Sequence, residues 1–289
     1  MIVLGFDTST PSTAVALRTA DGRVAEARDD PPPGAHPGHA TRLLDLAHEL
    51  LAAAGIPWSA VQRLGVGVGP GTFTGLRVGV ATARALAQSL AIELVGVSSP
   101  RALAAGALCA QVAPGAQVAP GAQVAPGAKA GPGAKGEPGA KGEPGAPAVP
   151  STVLAVIDAR RGEVFAAVYE RDARDIAREI AAPRALAPQQ LADALAPPTG
   201  GTSVGEASSS GWHGLLAVGD GAQRYRDRLL AQGLTVPPQE SPLHRLSAAW
   251  VCDLAARARP GALERVVPDY RRRPDAELAL EAAAPASSR

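Results

Sequence analysis

Aromatic side chains are nearly missing from this chain: three Phe, three Tyr and three Trp in 289 residues. A core without rings must be built from Ala, Val and Leu, so close packing of small side chains carries its stability. Cysteine is scarcer still. Cys109 and Cys252 stand far apart and match no metal or redox spacing, which excludes a disulfide framework and points to a reducing, cytoplasmic setting. The net charge is only +1, too weak a field for a chain that grips nucleic acid unaided, so RNA is expected to be reached only within a larger complex. No apolar run spans a membrane; the best candidate, Val78 to Val97, carries Arg84 and Glu93. No signal-peptide pattern precedes the first strand-like run. The G-x-S-x-G elbow and H-E-x-x-H are missing too, which removes two common hydrolase designs.

What is there alternates between strand and helix signals. Ile2–Phe6, Ala14–Arg18 and Val24–Arg28 read as strands, the last two joined at Asp21-Gly22. A helix is expected from about Thr41 to Ala54. Its apolar row is Leu43, Leu46, Leu50 and Ala54, widened by Leu44, Ala47 and Leu51, and Gly55 with Pro57 ends it. Leu64–Val68 is a strand, a glycine-rich loop follows, and a helix then runs to about Leu90. Leu94–Val97 is another strand, and Ser98-Ser99-Pro100 opens a helix through Ala107.

The pattern breaks at Pro114, where PGAQVA, PGAKAG and PGAKGE units repeat with a period of six. Glycine falls at every third place only from Gly133 to Gly145, too short a run for a collagen helix, so the segment reads as a flexible linker leaning to polyproline II. Strand signals return with VLAVIDARRGEVFAAVYE, which repeats the strand–Asp–turn–strand order of LGFDTSTPSTAVAL and suggests an internal duplication. Pro197–Gly211 is a loose loop, Leu215–Val218 a strand, and Ala222–Leu230 and Ser247–Ala258 helices. The expected division is a first lobe over 1–107, a low-complexity linker over 108–150, a smaller second lobe over 151–274 and a frayed tail over 275–289.

The stretch GVGPGTFTGLRVG, Gly67 to Gly79, holds five glycines. A glycine loop opening onto a helix welcomes an anion, but no Lys follows it as a Walker loop requires. The alternative is a tight turn followed by close packing along Gly75, Gly79, Ala83 and Ala87. Asp7 with Thr8 at a strand end, together with Gly69, Gly71 and Thr72, forms the candidate nucleotide or phosphate set; taken alone, Asp7 and its neighbours fit an ordinary Asx or Ser/Thr turn better. His36 and His39 have ligand-like spacing but no third ligand, so no metal site is expected. Tyr270-Arg271-Arg272-Arg273 is the densest basic run. No catalytic residue is assigned and no cofactor is expected.

The strings GVGPGTFTGLRVGVATARALA, IVLGFDTSTPSTAVAL, VIDARRGEVFAAVY and His39 together resemble the TsaB (YeaZ) family, over roughly residues 1–107 and 151–274. The resemblance implies an α/β fold of two related actin-like (ribonuclease H-like) lobes. It implies a non-catalytic part in placing threonylcarbamoyl on adenosine 37 of tRNAs that read ANN codons, alongside TsaC, TsaD and TsaE. The catalytic paralogue, TsaD, carries an H-x-x-x-H metal pair after the strand that follows its glycine-loop helix; here that place reads Ser98-Ser99-Pro100-Arg101-Ala102. The implied interface with TsaD comprises His39, Leu43, Leu46, Leu50, Thr74, Gly75, Arg77, Val78, Gly79, Thr82 and Ala83. On that reading Gly79→Leu blocks the partner and leaves the chain folded, while the isolated chain is either a monomer or a homodimer through the same helices. The rival reading is an actin-like ATPase or small-molecule kinase that holds MgATP between Asp7 and Asp158.

Overall fold

The computed structural model describes residues 1–32, 34–110, 151–173, 175–195 and 214–271. The hexapeptide repeats, the Pro197–Gly211 loop and the tail lie outside the described residues, so the linker expectation is not addressed. Two sheets organise the rest. The first has five strands in the order β3-β2-β1-β4-β5, formed by β1 (Val3–Asp7), β2 (Thr13–Arg18), β3 (Val24–Asp29), β4 (Arg63–Gly69) and β5 (Glu93–Ser98). The second has the order β8-β7-β6-β9, formed by β6 (Thr152–Arg160), β7 (Glu163–Glu170), β8 (Arg178–Leu186) and β9 (Leu216–Val218). In each sheet two antiparallel strands run outward from a central strand, whose other side pairs in parallel: β1 with β4, β6 with β9. The two lobes therefore share one topology, the first with one strand more, and the fold is α/β as the repeated strand–Asp–turn–strand order suggests.

Helices fill both faces of the first sheet. Leu4 and Phe6 point to α1 (His39–Ala54) and α2 (Phe73–Leu90), in a core that includes Leu43, Leu46, Val80 and Ala83. Val3 and Gly5 point the other way. There α7 (Ala248–Arg257) comes so close that a Cβ on Gly5 would sit 2.7 Å from Cys252 Sγ. The small α3 (Ser99–Ala110) and α7 share one core with residues of both sheets, including Val3, Ala16, Val153 and Ile157. The outer face of the second sheet is covered by α4 (Leu191–Ala194), α5 (Asp220–Arg224) and α6 (Arg226–Leu230). Alanine and valine dominate the shared core, and Phe165 and Tyr169 of β7 are its buried rings.

Charge pins α7 at both ends. Glu26 accepts hydrogen bonds from Ser247 Oγ and Ala248 N at the positive N-terminal end. At the other end buried Arg63 donates from Nη1 to the carbonyls of Ala255 (2.8 Å) and Ala258 (3.0 Å) and pairs with Glu93. Arg63→Ala leaves those carbonyls buried without a donor. It is expected to cost about 3 kcal/mol, read as a lowered urea midpoint at unchanged slope.

Three elements differ from the sequence reading. β8 carries no strand signal, because Pro183 interrupts the alternation; it survives as an edge strand, where a missing N–H is tolerated. The helix expected over Ala222–Leu230 is two short ones joined at Tyr225, whose φ of −111° is not helical. α1 begins at His39, two residues early.

Candidate functional site

The glycine loop, the turn after β1 and the start of α1 meet at one place. Asp7 ends β1 fully buried. Its Oδ1 accepts hydrogen bonds from Ser9 N (2.7 Å) and Ser9 Oγ (2.6 Å), and its Oδ2 accepts from Ser99 Oγ (2.6 Å). Ser99 Oγ in turn accepts from Gly69 N at 3.2 Å. Thr72 N donates to Ser9 O and Thr8 Oγ1 donates to Gly75 O, both at 2.7 Å. The loop therefore closes around the chain's own Thr8-Ser9 turn. A Cβ on Gly67 would lie 1.7 Å from Asp7 Oδ2, one on Gly71 2.3 Å from Ser9 O, and one on Gly75 2.0 Å from Thr8 O. Glycine stands at these positions because backbone and carboxylate occupy the space a side chain needs.

That geometry settles what the glycines do. Asp7, Thr8, Gly69, Gly71 and Thr72 do come together, as the phosphate reading expects. Their polar groups, however, are largely consumed by one another, and Asp7 has spent both oxygens on neutral donors. Two atoms break the pattern: buried Thr72 Oγ1 and His39 Nε2 have no hydrogen-bond partner. His39 enters from the first turn of α1, with Nδ1 2.8 Å from Thr13 Oγ1, and its ring abuts Gly75. Burial lowers the His39 pKa and favours the neutral ring, against the opposing pull of the Asp7 and Asp29 carboxylates.

Burial divides the expected partner surface in two. Leu43, Leu46, Leu50, Gly75, Gly79, Ala83 and His39 are buried within the chain itself. The leucines cover β1, β2 and β4, and Gly79 lies against Thr8 Oγ1, where a Cβ would stand 2.3 Å away. These residues are not available to a partner. Thr74 and Arg77 are exposed, and Val78 and Thr82 are half-buried, so four of the set do face outward. Sequence reasoning missed the rest of that outer face: Leu44, 45% exposed, and Ala81 and Ala85 on α2. At the open end of α2, Arg77 lies 3.9 Å over the Phe73 ring and donates from Nε to Tyr270 Oη, and Tyr270 packs on Phe73 at 5.1 Å. The first residue of the basic run thus has a packing role; Arg272 and Arg273 lie outside the described residues.

In the second lobe Asp158 occupies the place of Asp7, and Asp220 opens α5 as the glycine loop opens α2. Asp220 Oδ1 accepts from Asp158 N (3.0 Å) and Gly221 N (2.9 Å). Burial, helped by the Asp158 charge, raises the Asp220 pKa from 3.8 to about 6. A raised folded pKa means that the ionised form opposes folding at high pH, and that the penalty disappears as pH falls from above 6 to below 3.8. Asp220→Asn keeps an acceptor and removes the charge. It is expected to add about 2–3 kcal/mol of stability at pH 8 and almost none at pH 3.5, read as the difference between two urea titrations.

An open groove of about 380 Å³ lies elsewhere, along edge strand β5, lined by Val95, Gly96, Arg101, Asp175 and Glu179. Its guanidinium is committed: Arg101 Nη2 holds both Asp175 oxygens, at 2.9 and 2.8 Å. Among the described residues no helix is long and apolar enough to cross a membrane.

Comparison with known proteins agrees with this architecture. YeaZ from Pseudomonas aeruginosa superposes with a TM-score of 0.62 at 24% identity, covering 93% of this chain and 99% of that one. The Escherichia coli tRNA threonylcarbamoyladenosine biosynthesis protein TsaB is 27% identical over 274 residues, 94% of this chain and 95% of its own length. Along nearly its whole length the chain is similar to TsaB (YeaZ) proteins. TsaB of Haemophilus influenzae is 34% identical over 109 residues, 37% of this chain and 43% of the relative. The family model described as TsaD, tRNA N6-adenosine threonylcarbamoyltransferase, matches residues 31–120. The described residues of that stretch hold α1, β4, the glycine loop, α2, β5 and α3.

Proposed function

We propose that this chain serves tRNA N6-threonylcarbamoyladenosine synthesis in the cytoplasm as a non-catalytic subunit, docking on a TsaD paralogue and activating it. The observation that carries the reading is the outer face of α1 and α2. Leu44, Val78, Ala81, Thr82 and Ala85 present a small-residue, apolar surface to solvent while the inner faces are filled by the chain's own core. Small side chains let a second pair of helices approach closely, and an exposed Leu among them supplies an anchor. The place where the resemblance puts the paralogue's metal ligands supports the division of labour. Here Ser99 is spent on Asp7 and Gly69, and Arg101 on Asp175. The nucleotide set of the ATPase reading is drawn inward and hydrogen-bonded to itself, which speaks against MgATP as its occupant. On this reading TsaE joins a larger assembly, and tRNA is modified only through the complex.

Mixing the purified chain with its cognate TsaD and resolving the mixture by size exclusion tests the docking. Co-elution is expected, with t6A formation on unmodified tRNA depending on the chain. Separate elution, with t6A formation unchanged when the chain is left out, ends the reading. In the isolated chain the same surface pairs with itself, so the apparent mass should fall toward a monomer on dilution.

A further inference from the structure

The β6–β7 turn is built from residues that the backbone does not favour. Arg160 and Arg161 have φ of 65° and 51°, and only the third residue, Gly162 at 81°, is of the type that adopts this region freely. Asparagine and glycine meet the demand of such a turn at lower cost. Two long cationic side chains stand there instead, both exposed. Beneath the turn Asp158, nearly buried, accepts Arg160 N on Oδ1. Its Oδ2 lies 3.8 Å from Arg160 Nη1 and 3.7 Å from Arg224 Nη1, the latter reaching across from α5. One carboxylate thus draws two guanidiniums, each more than half exposed, to the same point, at distances too long for hydrogen bonds. Tyr225 continues the row, with Arg224 5.8 Å and Arg228 5.7 Å from its ring. The neighbouring acidic groups are Asp220 beneath the turn, Asp227 exposed on α6 and Glu163 beside Arg161.

The geometry points to a phosphate clip: Arg160 and Arg224, aligned by Asp158, grip a phosphodiester of RNA, with Tyr225 and Arg228 extending the contact along the strand. Two guanidiniums converging from different elements suit the several oxygens of one phosphate, and planar donors pair with such oxygens two at a time. RNA rather than an acidic peptide is the occupant because the exposed arginines form a row beside an aromatic face. That choice rests on the reading that this chain works on tRNA.

The test is fluorescence-anisotropy binding of a full-length tRNA to the whole chain, alone and with its TsaD partner, over a salt series. The double variant Arg160→Asn/Arg224→Gln is expected to weaken binding at least tenfold. It should also flatten the log–log salt slope by about 0.9, the value for one lost phosphate contact. Thermal stability is expected to hold or rise, since asparagine accepts the left-handed backbone at 160 better than arginine does; a merely structural role predicts a fall. Arg160→Lys, which keeps the charge, should recover part of the affinity, and Arg224→Gln alone, on an exposed helix, should show half of the slope change. An unchanged affinity and slope in the double variant, or competition by polyglutamate as effective as by tRNA, overturns the clip. Co-elution with the partner is scored separately, so a failed clip and a failed docking surface give different results.

Discussion

Gly79→Leu is expected to yield no folded chain at all. The sequence reading places Gly79 on a partner surface and predicts loss of the complex alone; the packing reverses that outcome. A Cβ at 79 would lie 2.3 Å from Thr8 Oγ1, and the rest of a leucine would have to pass through the Asp7–Ser9 turn. Thr8 is fully buried and donates to Gly75 O, so it cannot swing aside without leaving that carbonyl unpaired. Overpacking by several heavy atoms costs about 3 kcal/mol or more, and the lost buried hydrogen bond about 1–3 kcal/mol. Together these approach the whole stability of an ordinary domain. The measurement is the soluble yield and the far-UV circular dichroism of the variant. Gly261→Ala is the control: it has open space around its Cα and a negative φ, so its denaturation midpoint should not move. A folded, partner-blind Gly79→Leu would show that the Thr8 turn yields, and that the inner face of α2 is softer than its packing implies.

Ala81→Arg carries the opposite expectation. Ala81 is exposed on α2, between Val78 and Ala85 on the outward face, and stays exposed among the described residues. An arginine there costs the isolated chain almost nothing. In a helix-on-helix interface it would meet the partner backbone with a bulky charge, at a cost of about 3 kcal/mol, or more than a hundredfold in affinity. Isothermal titration against TsaD reads the loss, and t6A formation should fall in proportion. If Ala81→Arg binds as tightly as the parent chain, docking does not use this face. Read together, the two variants separate the sides of one helix: one should destroy the fold, the other only the company it keeps.

Much of the architecture was legible from local pattern. The alternation of Leu4 and Phe6 with Val3 and Gly5 marks a strand buried on both faces, and the repeated strand–Asp–turn–strand order announces two related lobes. β8 was not legible, since Pro183 argues against a strand and only pairing with β7 overrides it. Nor was the exchange of helices, in which α7, late in the chain, packs on the sheet formed by the first strands. Hydrophobic periodicity states that a helix has a buried side and is silent about which sheet it is buried on.

At the site the division is sharper. Sequence by itself determined that Asp7, Thr8 and the glycines of 67–79 belong together, because glycine at such density is useful only where backbone must come close. That the place of the paralogue's histidines reads Ser98-Ser99-Pro100-Arg101-Ala102 came from the resemblance and not from spacing. Which backbone comes close was decided only in three dimensions. A row of Gly75, Gly79 and Ala83 has the same spacing whether it receives a partner helix, a phosphate or the chain's own turn. The outcome depends on where β1 ends, and the Thr8 carbonyl reaches the groove before any of the others can.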